Sequence, residues 1–275
     1  MDFTFHYLTI ELFQRAILAG CLLAGLLAVL GVLVTARGLA YLGDGLSHAA
    51  FGGIALGMFL GLSSPLYVAI PFTAMAAIGI GALRRRGGLR SDVAMAAIFA
   101  VCFAVGIILL NKVKRTQANA FDPEALLFGN ILLIGPTDLY VVLGVAAVTA
   151  IFLAITWPRL AYATFDEELA RLSGIQVGWL ESALLALLAA VVVAAIRLAG
   201  VVLVSAFLVI PPATARSFGR SLSGLVGYAV GAGVLGVCLG FVVAHITGWP
   251  EGATIVLMLA LLLLAGFGVR RIRGH

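Results

Sequence analysis

Charged residues cut the chain into long apolar runs. Uncharged stretches occupy 16–36, 49–83, 93–111, 139–158, 182–196, 198–215, 221–244 and 252–269. A helix needs about 20 apolar residues to cross the hydrocarbon of a bilayer. The run 49–83 has room for two crossings and is interrupted at Gly61-Leu62-Ser63-Ser64-Pro65. The run 182–196 is short but extends back through Trp179, a residue type that favours membrane interfaces. The pattern predicts an all-α, polytopic transmembrane helical bundle of about nine spans, or eight if one of them is partial. Residues 125–137, ALLFGNILLIGPT, are apolar yet too short to cross, which predicts a re-entrant or surface helix.

Composition narrows the class further. Of the 275 residues, 63% are hydrophobic and 11% charged, and the mean hydropathy is +1.18. A soluble domain carries about 25% charged residues and has to present polar groups to water. Soluble, disordered, collagen-like and disulfide-scaffold classes are therefore excluded. The spans leave no polar stretch long enough for a catalytic domain. No G-x-x-x-x-G-K-[S/T] phosphate loop is present, and lysine occurs only at Lys112 and Lys114. Cys21, Cys102 and Cys238 are scattered through apolar runs without metal or redox spacing and read as small packing residues. The pI near 9.4 assigns the basic residues to loops beside an anionic membrane surface rather than to nucleic acid.

The distribution of Lys and Arg predicts orientation. With nine spans and the Arg84-Arg85-Arg86 loop inside, twelve of the 17 basic residues fall on the inner side. These are Arg37, four arginines over 84–90, Arg159, Arg171, Arg216, Arg220, Arg270, Arg271 and Arg273. Arg15, Lys112, Lys114, Arg115 and Arg197 fall outside. The N-terminus is then outside and the C-terminus cytoplasmic. Residues 1–15 carry acids and His6 rather than a basic n-region, so no cleavable signal is expected there. Glycines at helical spacing (Gly53, Gly57 and Gly61; Gly227 and Gly231; Gly236 and Gly240) predict close helix packing and carry no functional information.

An ionisable group inside a span is costly and marks a candidate site. Asp44 and His48, in GDGLSHA, are four residues apart, so a helix places both on one face about 6 Å apart along its axis. A carboxylate and an imidazole so placed suit Zn²⁺, Mn²⁺ or Fe²⁺, while the lack of thiolate or thioether disfavours Cu⁺. One chain supplies two ligands, and two chains meeting at a symmetric pore would supply four. The residues equally admit a plainer reading, in which Asp44 caps the second span and His48 merely bonds to it. His245 near Trp249, Glu181 beside Trp179 and Arg197 read as interfacial or hairpin groups. Asn130 and Asp138 are candidates for an outer vestibule, and His6 and His275 lie in terminal segments.

Two inner segments have the form of partner contacts. FDEELARLSGI at 165–175 reads as a short amphipathic helix with acids in its first turn and Gly174 closing it. PPATARSFGR at 211–220 ends a span in a compact basic turn. A solvated loop with ordinary capping accounts for either segment as well.

Five blocks together resemble the membrane permeases of bacterial zinc, manganese and iron uptake ABC transporters. They are LGDGLSHAAFGGIALG at 42–57, LLFGNIL at 126–132, FDEELARLSGI at 165–175, AGVVLVSAFLVIPPATAR at 199–216 and TGWPEGATIVLML at 247–259. The resemblance runs through nearly the whole chain in the same order. Departures are Phe51-Gly52, where a Leu-Pro pair is common, and Trp249 and Glu251 in the last block.

The resemblance implies a multi-pass subunit of the bacterial cytoplasmic membrane, with residues 1–275 forming one permease domain. It implies a homodimer, a separate cytoplasmic ATPase that hydrolyses ATP, and an extracytoplasmic solute-binding protein that delivers the metal. It maps Gly43, Asp44, Ser47 and His48 onto the family's GDxxSH block, with Asp44 and His48 as ligands of the transported ion. It makes 159–178 and 211–222 the cytoplasmic partner-contacting segments, with Phe165, Asp166, Glu167, Glu168, Arg171, Thr214, Arg216 and Arg220 as candidate ATPase contacts. The expected function is ATP-driven import of Mn²⁺, Zn²⁺ or Fe²⁺ by alternating access, with no cofactor held permanently and no enzymatic activity of its own. The rival expectation is a secondary cation transporter or metal channel working without an ATPase, which would normally need more intramembrane acids.

Overall fold

Each of the predicted apolar runs is helical in the computed structural model, which describes residues 11–39, 41–62, 65–88, 90–116, 136–219 and 221–272. Within these residues the helices are α1 (Glu11–Ala36), α2 (Leu42–Phe59), α3 (Leu66–Gly87), α4 (Ser91–Thr116) and α5 (Pro136–Phe165). They continue with α6 (Glu167–Leu172), α7 (Val177–Ala215), α8 (Leu222–Thr247) and α9 (Glu251–Ile272), and no strand occurs among the described residues. The 125–135 part of the predicted re-entrant segment, with Asn130, lies outside the described residues, as do His6, Arg220 and His275.

Among the described residues, eight segments are long and apolar enough to cross a membrane: α1, α3, α4, α5, the two parts of α7, α8 and α9. The predicted second span, α2, does not reach that hydropathy, because Asp44, Ser47 and His48 fall within its 18 residues. The span that is polar for its length is therefore the one that bears the candidate site. Arg197 falls between the two spans that make up α7, Val177–Ile196 and Leu198–Ala215. The α7 range joins two helices across a kink, and the departure from helical geometry falls at Gly200 (φ 76°, ψ 166°). Only glycine adopts that conformation without strain.

Two compact units, each discontinuous in sequence, divide the chain. The first comprises Met1–Thr35, Glu124–Ala146 and Ala195–His275; the second comprises Ala36–Pro123 and Ala147–Ala194. In the first unit α8 packs on α9 through two glycines: a Cβ on Gly236 would meet Leu259 Cδ2 at 2.4 Å, and one on Gly240 would meet Ile255 Cα at 2.6 Å. In the second unit α2 packs on α3 and α4 in the same manner. A Cβ on Gly53 would lie 2.8 Å from Ala69 Cα, one on Gly57 2.7 Å from Pro65 Cα, and one on Gly52 2.5 Å from the Cys102 carbonyl oxygen. Such contacts bring backbones together where lipid offers no hydrophobic drive. The rest of the glycine pattern does something else. Gly61 takes a left-handed turn after α2, and Gly227 and Gly231 face open space within 4 Å.

Apolar side chains such as Met75, Val101, Ile155 and Leu264 are exposed along α3, α4, α5 and α9. That is the expected exterior of a protein whose solvent at mid-depth is lipid.

Candidate functional site

The site begins with the first two turns of α2. Tyr41 occupies the N-cap position and makes no side-chain cap, so Asp44 sits inside the first turn rather than capping it. The capping reading of Asp44 is thereby corrected, although a carboxylate there still meets the positive end of the helix. One turn on, His48 Nε2 lies 3.6 Å from Asp44 Oδ1, as the four-residue spacing predicts. Asp44 is mostly exposed (62%), while His48 is three-quarters covered (24% exposed). Between them Ser47 is buried and donates to the Gly43 carbonyl oxygen at 2.9 Å, which fixes the neighbouring face against the protein.

Two phenylalanines of α4 that the sequence reading passed over pack against the imidazole. Phe99 and Phe103 of α4 meet His48 edge-on, with ring centroids 4.4 and 5.4 Å away, and Phe51 packs on Phe103 at 5.2 Å. The i,i+4 spacing of Phe99 and Phe103 was the available signal, but a repeat of that kind fits any buried face. The arrangement leaves an oxygen donor and a nitrogen donor at one exposed edge, with the ring held by apolar neighbours. Among the described residues no group of three or more His, Cys, Asp and Glu side chains gathers at one place, so the described residues bring Asp44 and His48 together without a third such group.

The 165–175 segment has the predicted form. Asp166 is the N-cap of α6 and accepts from the Leu169 N–H at 2.9 Å. Glu167 pairs with Arg171 at 2.6 Å, and Gly174 takes φ 81° where the chain leaves the helix. Phe165, Glu168, Leu169 and Leu172 are exposed. At the other segment, helix α7 runs through Pro211 and Pro212 to Ala215 before turning. Arg216 is exposed and donates to the Thr35 carbonyl oxygen at 3.1 Å. Thr214 is buried, its hydroxyl donating to the Ile210 carbonyl oxygen at 2.9 Å, so its side chain is used within the fold. His245 is exposed in the last turn of α8.

A polar cluster beside α6 has no precedent in the spacing of the sequence. Buried Glu181 of α7 is ion-paired with Arg84 of α3. Arg37, in the α1–α2 connection, donates from Nε to Thr164 Oγ1 at 3.0 Å and from Nη2 to the Leu160 carbonyl oxygen at 3.3 Å. Burial lowers the pKa of Arg37, and the charges of Glu181 and Glu167 act against that shift.

The fold and these polar groups define a polytopic membrane transport protein: the chain belongs to the ABC 3 transport family, whose match covers residues 9–270. Among named relatives it is 31% identical over 255 residues to the manganese transport system membrane protein MntC of Halalkalibacterium halodurans, covering 92% of this chain and 86% of that one. It is 30% identical to the high-affinity zinc uptake system membrane protein ZnuB of Haemophilus influenzae, covering 92% of this chain and 96% of the relative. A solved structure of PsaBC from Streptococcus pneumoniae in complex with Fab matches with a TM-score of 0.84 at 30% identity, over 97% of this chain and 94% of that chain.

Proposed function

We propose that this chain is the membrane-spanning subunit of an ATP-driven importer of a divalent transition metal ion, Mn²⁺, Zn²⁺ or Fe²⁺, in a bacterial cytoplasmic membrane. The observation that carries the reading is the Asp44–His48 pair on one face of α2, with a carboxylate and an imidazole 3.6 Å apart. Relatives named for manganese and zinc transport support the choice of ion. Asp44 and His48 replace part of the ion's hydration shell, and two copies of the chain meeting at the pore complete the set with a second Asp44 and His48. Carboxylate and imidazole donors suit all three ions, so the donor set alone does not choose among them.

Residues 1–275 act as one permease domain, with the N-terminus outside and the C-terminus in the cytoplasm. ATP is bound and hydrolysed by a separate chain, and a solute-binding protein delivers the ion outside. Segments 159–178 and 211–222 meet the ATPase, with Phe165, Asp166, Glu167, Glu168, Arg171, Arg216 and Arg220 at the contact. Thr214 shapes the second segment from within. ATP-driven closure of the ATPase pair moves these segments and opens the path inward.

Uptake of radioactive Mn²⁺ and Zn²⁺ into proteoliposomes holding the chain with its ATPase and binding protein tests the reading. Uptake that requires ATP and is lost in Asp44→Ala and His48→Ala is the expected result. ATP-independent flux through the chain alone would replace the importer with a channel or secondary transporter, and full uptake by both variants would remove the site.

A further inference from the structure

Arg37 and Thr164 tie two parts of the chain that the transport reading needs to move together. Arg37 follows the last residue of α1 and lies seven positions before Asp44. Gly38 then takes a left-handed turn (φ 71°), and the chain enters α2 through a hydrogen bond from Leu42 N–H to the Leu39 carbonyl oxygen at 3.0 Å. On the other side, Thr164 lies in the last turn of α5, two residues before the Asp166 cap of α6. Its hydroxyl donates to the Leu160 carbonyl oxygen at 2.6 Å while accepting from Arg37 Nε, so the guanidinium grips a side chain and a carbonyl of one helical turn. A planar guanidinium with several fixed donors makes such a two-point grip, which a lysine cannot reproduce.

The surroundings give this grip a second possible set of acceptors. A cavity of about 290 Å³ is lined by Arg37, Arg84, Thr164, Phe165, Glu167 and Glu181, among others. In the present arrangement Arg37 bonds neutral oxygens of α5, while the carboxylates of Glu167 on α6 and Glu181 on α7 face the same space. Glu181 is engaged by Arg84 and Glu167 by Arg171. Hydrogen bonds to charged groups are stronger than those to neutral ones. A shift of α6 into the cavity therefore lets Arg37 exchange neutral acceptors for charged ones without leaving the protein.

We propose that Arg37 is a positioning residue that couples α6 to the start of α2, so that displacement of the partner-contacting helix is passed to the helix carrying Asp44 and His48. The proposal rests on the importer reading given above. It places the link in the Arg37–Thr164–Leu160 contact, within the second compact unit.

The test uses proteoliposomes holding the chain with its ATPase and binding protein, and reads Mn²⁺ taken up per ATP hydrolysed. In Arg37→Gln this ratio falls by about threefold or more, the scale of mutations that alter coupling without touching a ligand. Equilibrium Mn²⁺ binding to the purified chain and its association with the ATPase stay at wild-type levels. Thr164→Val removes the acceptor with little change of shape and lowers the ratio in the same direction. The double variant is no worse than Arg37→Gln, because both changes break one contact. Thr164→Val carries the test if Arg37→Gln does not fold. An unchanged ratio in the folded variants, or losses that multiply in the double variant, overturns the proposal. Failure of the metal-site reading has a different signature, namely full uptake by Asp44→Ala with the Thr164→Val loss intact.

Discussion

Gly31 of α1 lies against the carbonyl of Leu208 in α7: a Cβ built on Gly31 would be 2.3 Å from that oxygen. The reason is visible four residues later. In a helix the Leu208 carbonyl would accept from residue 212, and residue 212 is a proline with no N–H. Pro212 itself stands beside Gly31, with Cγ 2.9 Å from the would-be Cβ. The proline pair thus exposes backbone that only a residue without a side chain can approach. Gly31→Ala is expected to destabilise the chain by about 1–3 kcal/mol, the usual range for overpacking. Thermal unfolding of the detergent-purified protein measures it, and an unchanged midpoint would count against the close approach.

The Arg84–Glu181 pair supplies a second prediction. Glu181 is only 3% exposed and the Arg84 side chain 22%, so Glu181→Ala leaves a half-buried Arg84 without its carboxylate. Removing one member of a buried pair costs about 3–5 kcal/mol, whereas replacing both by apolar residues of similar volume is often close to neutral. Folded yield and melting temperature should drop sharply in Glu181→Ala and recover in large part in the Arg84→Met/Glu181→Leu double variant. Equal damage in the single and double variants would show that the charges are needed for more than each other.

Glycines that look alike in sequence should behave differently. Gly240→Ala puts a Cβ 2.6 Å from Ile255 Cα, a backbone atom that cannot rotate away, and should separate α8 from α9. Gly227→Ala meets nothing within 4 Å and gains about 1 kcal/mol of helix propensity. The melting temperature should fall for the first and hold or rise for the second. A fall of similar size in both would mean that Gly227 is packed against something other than this chain.

That contrast shows how far the sequence alone could be read. Hydrophobic runs define spans because lipid leaves a chain no alternative to long apolar helices, so α1, α3, α4, α8 and α9 were legible. The Asp44–His48 relationship was legible too, since it depends only on the pitch of one helix. The short helix α6 with acids at its start followed from local chemistry for the same reason, although Asp166 caps the helix rather than lying in its first turn. What escaped was every relationship set by tertiary approach. Gly236 and Gly240 cannot be told from Gly227 and Gly231 by spacing, nor can the partners of Arg37 and Glu181 be found, since Thr164 and Arg84 are far away in sequence. The phenylalanines around His48 come from α4 and were invisible until α2 and α4 were packed. Charge places the boundary between the two spans of α7 at Arg197, but which residue leaves helical geometry depends on conformational freedom, and that residue is Gly200, three positions on.

The final prediction concerns α6, whose six residues are too few to be stable alone. It is held at its start by the Asp166 carboxylate, which accepts from Leu169 N–H, and within by the Glu167–Arg171 pair. An exposed i,i+4 pair contributes only a few tenths of a kcal/mol, whereas loss of an N-cap costs about 1 kcal/mol. Asp166→Ala should therefore speed amide hydrogen exchange across 167–172 by about fivefold, and Glu167→Gln by much less. Asp166→Asn, which retains an acceptor oxygen, should stay near wild type. Hydrogen exchange followed by mass spectrometry in lipid nanodiscs reads all three. If Asp166→Asn exchanges as fast as Asp166→Ala, the negative charge at the helix start matters more than the cap bond. If neither differs from wild type, contacts of Ala170, the buried residue of the helix, hold α6 in place without the cap.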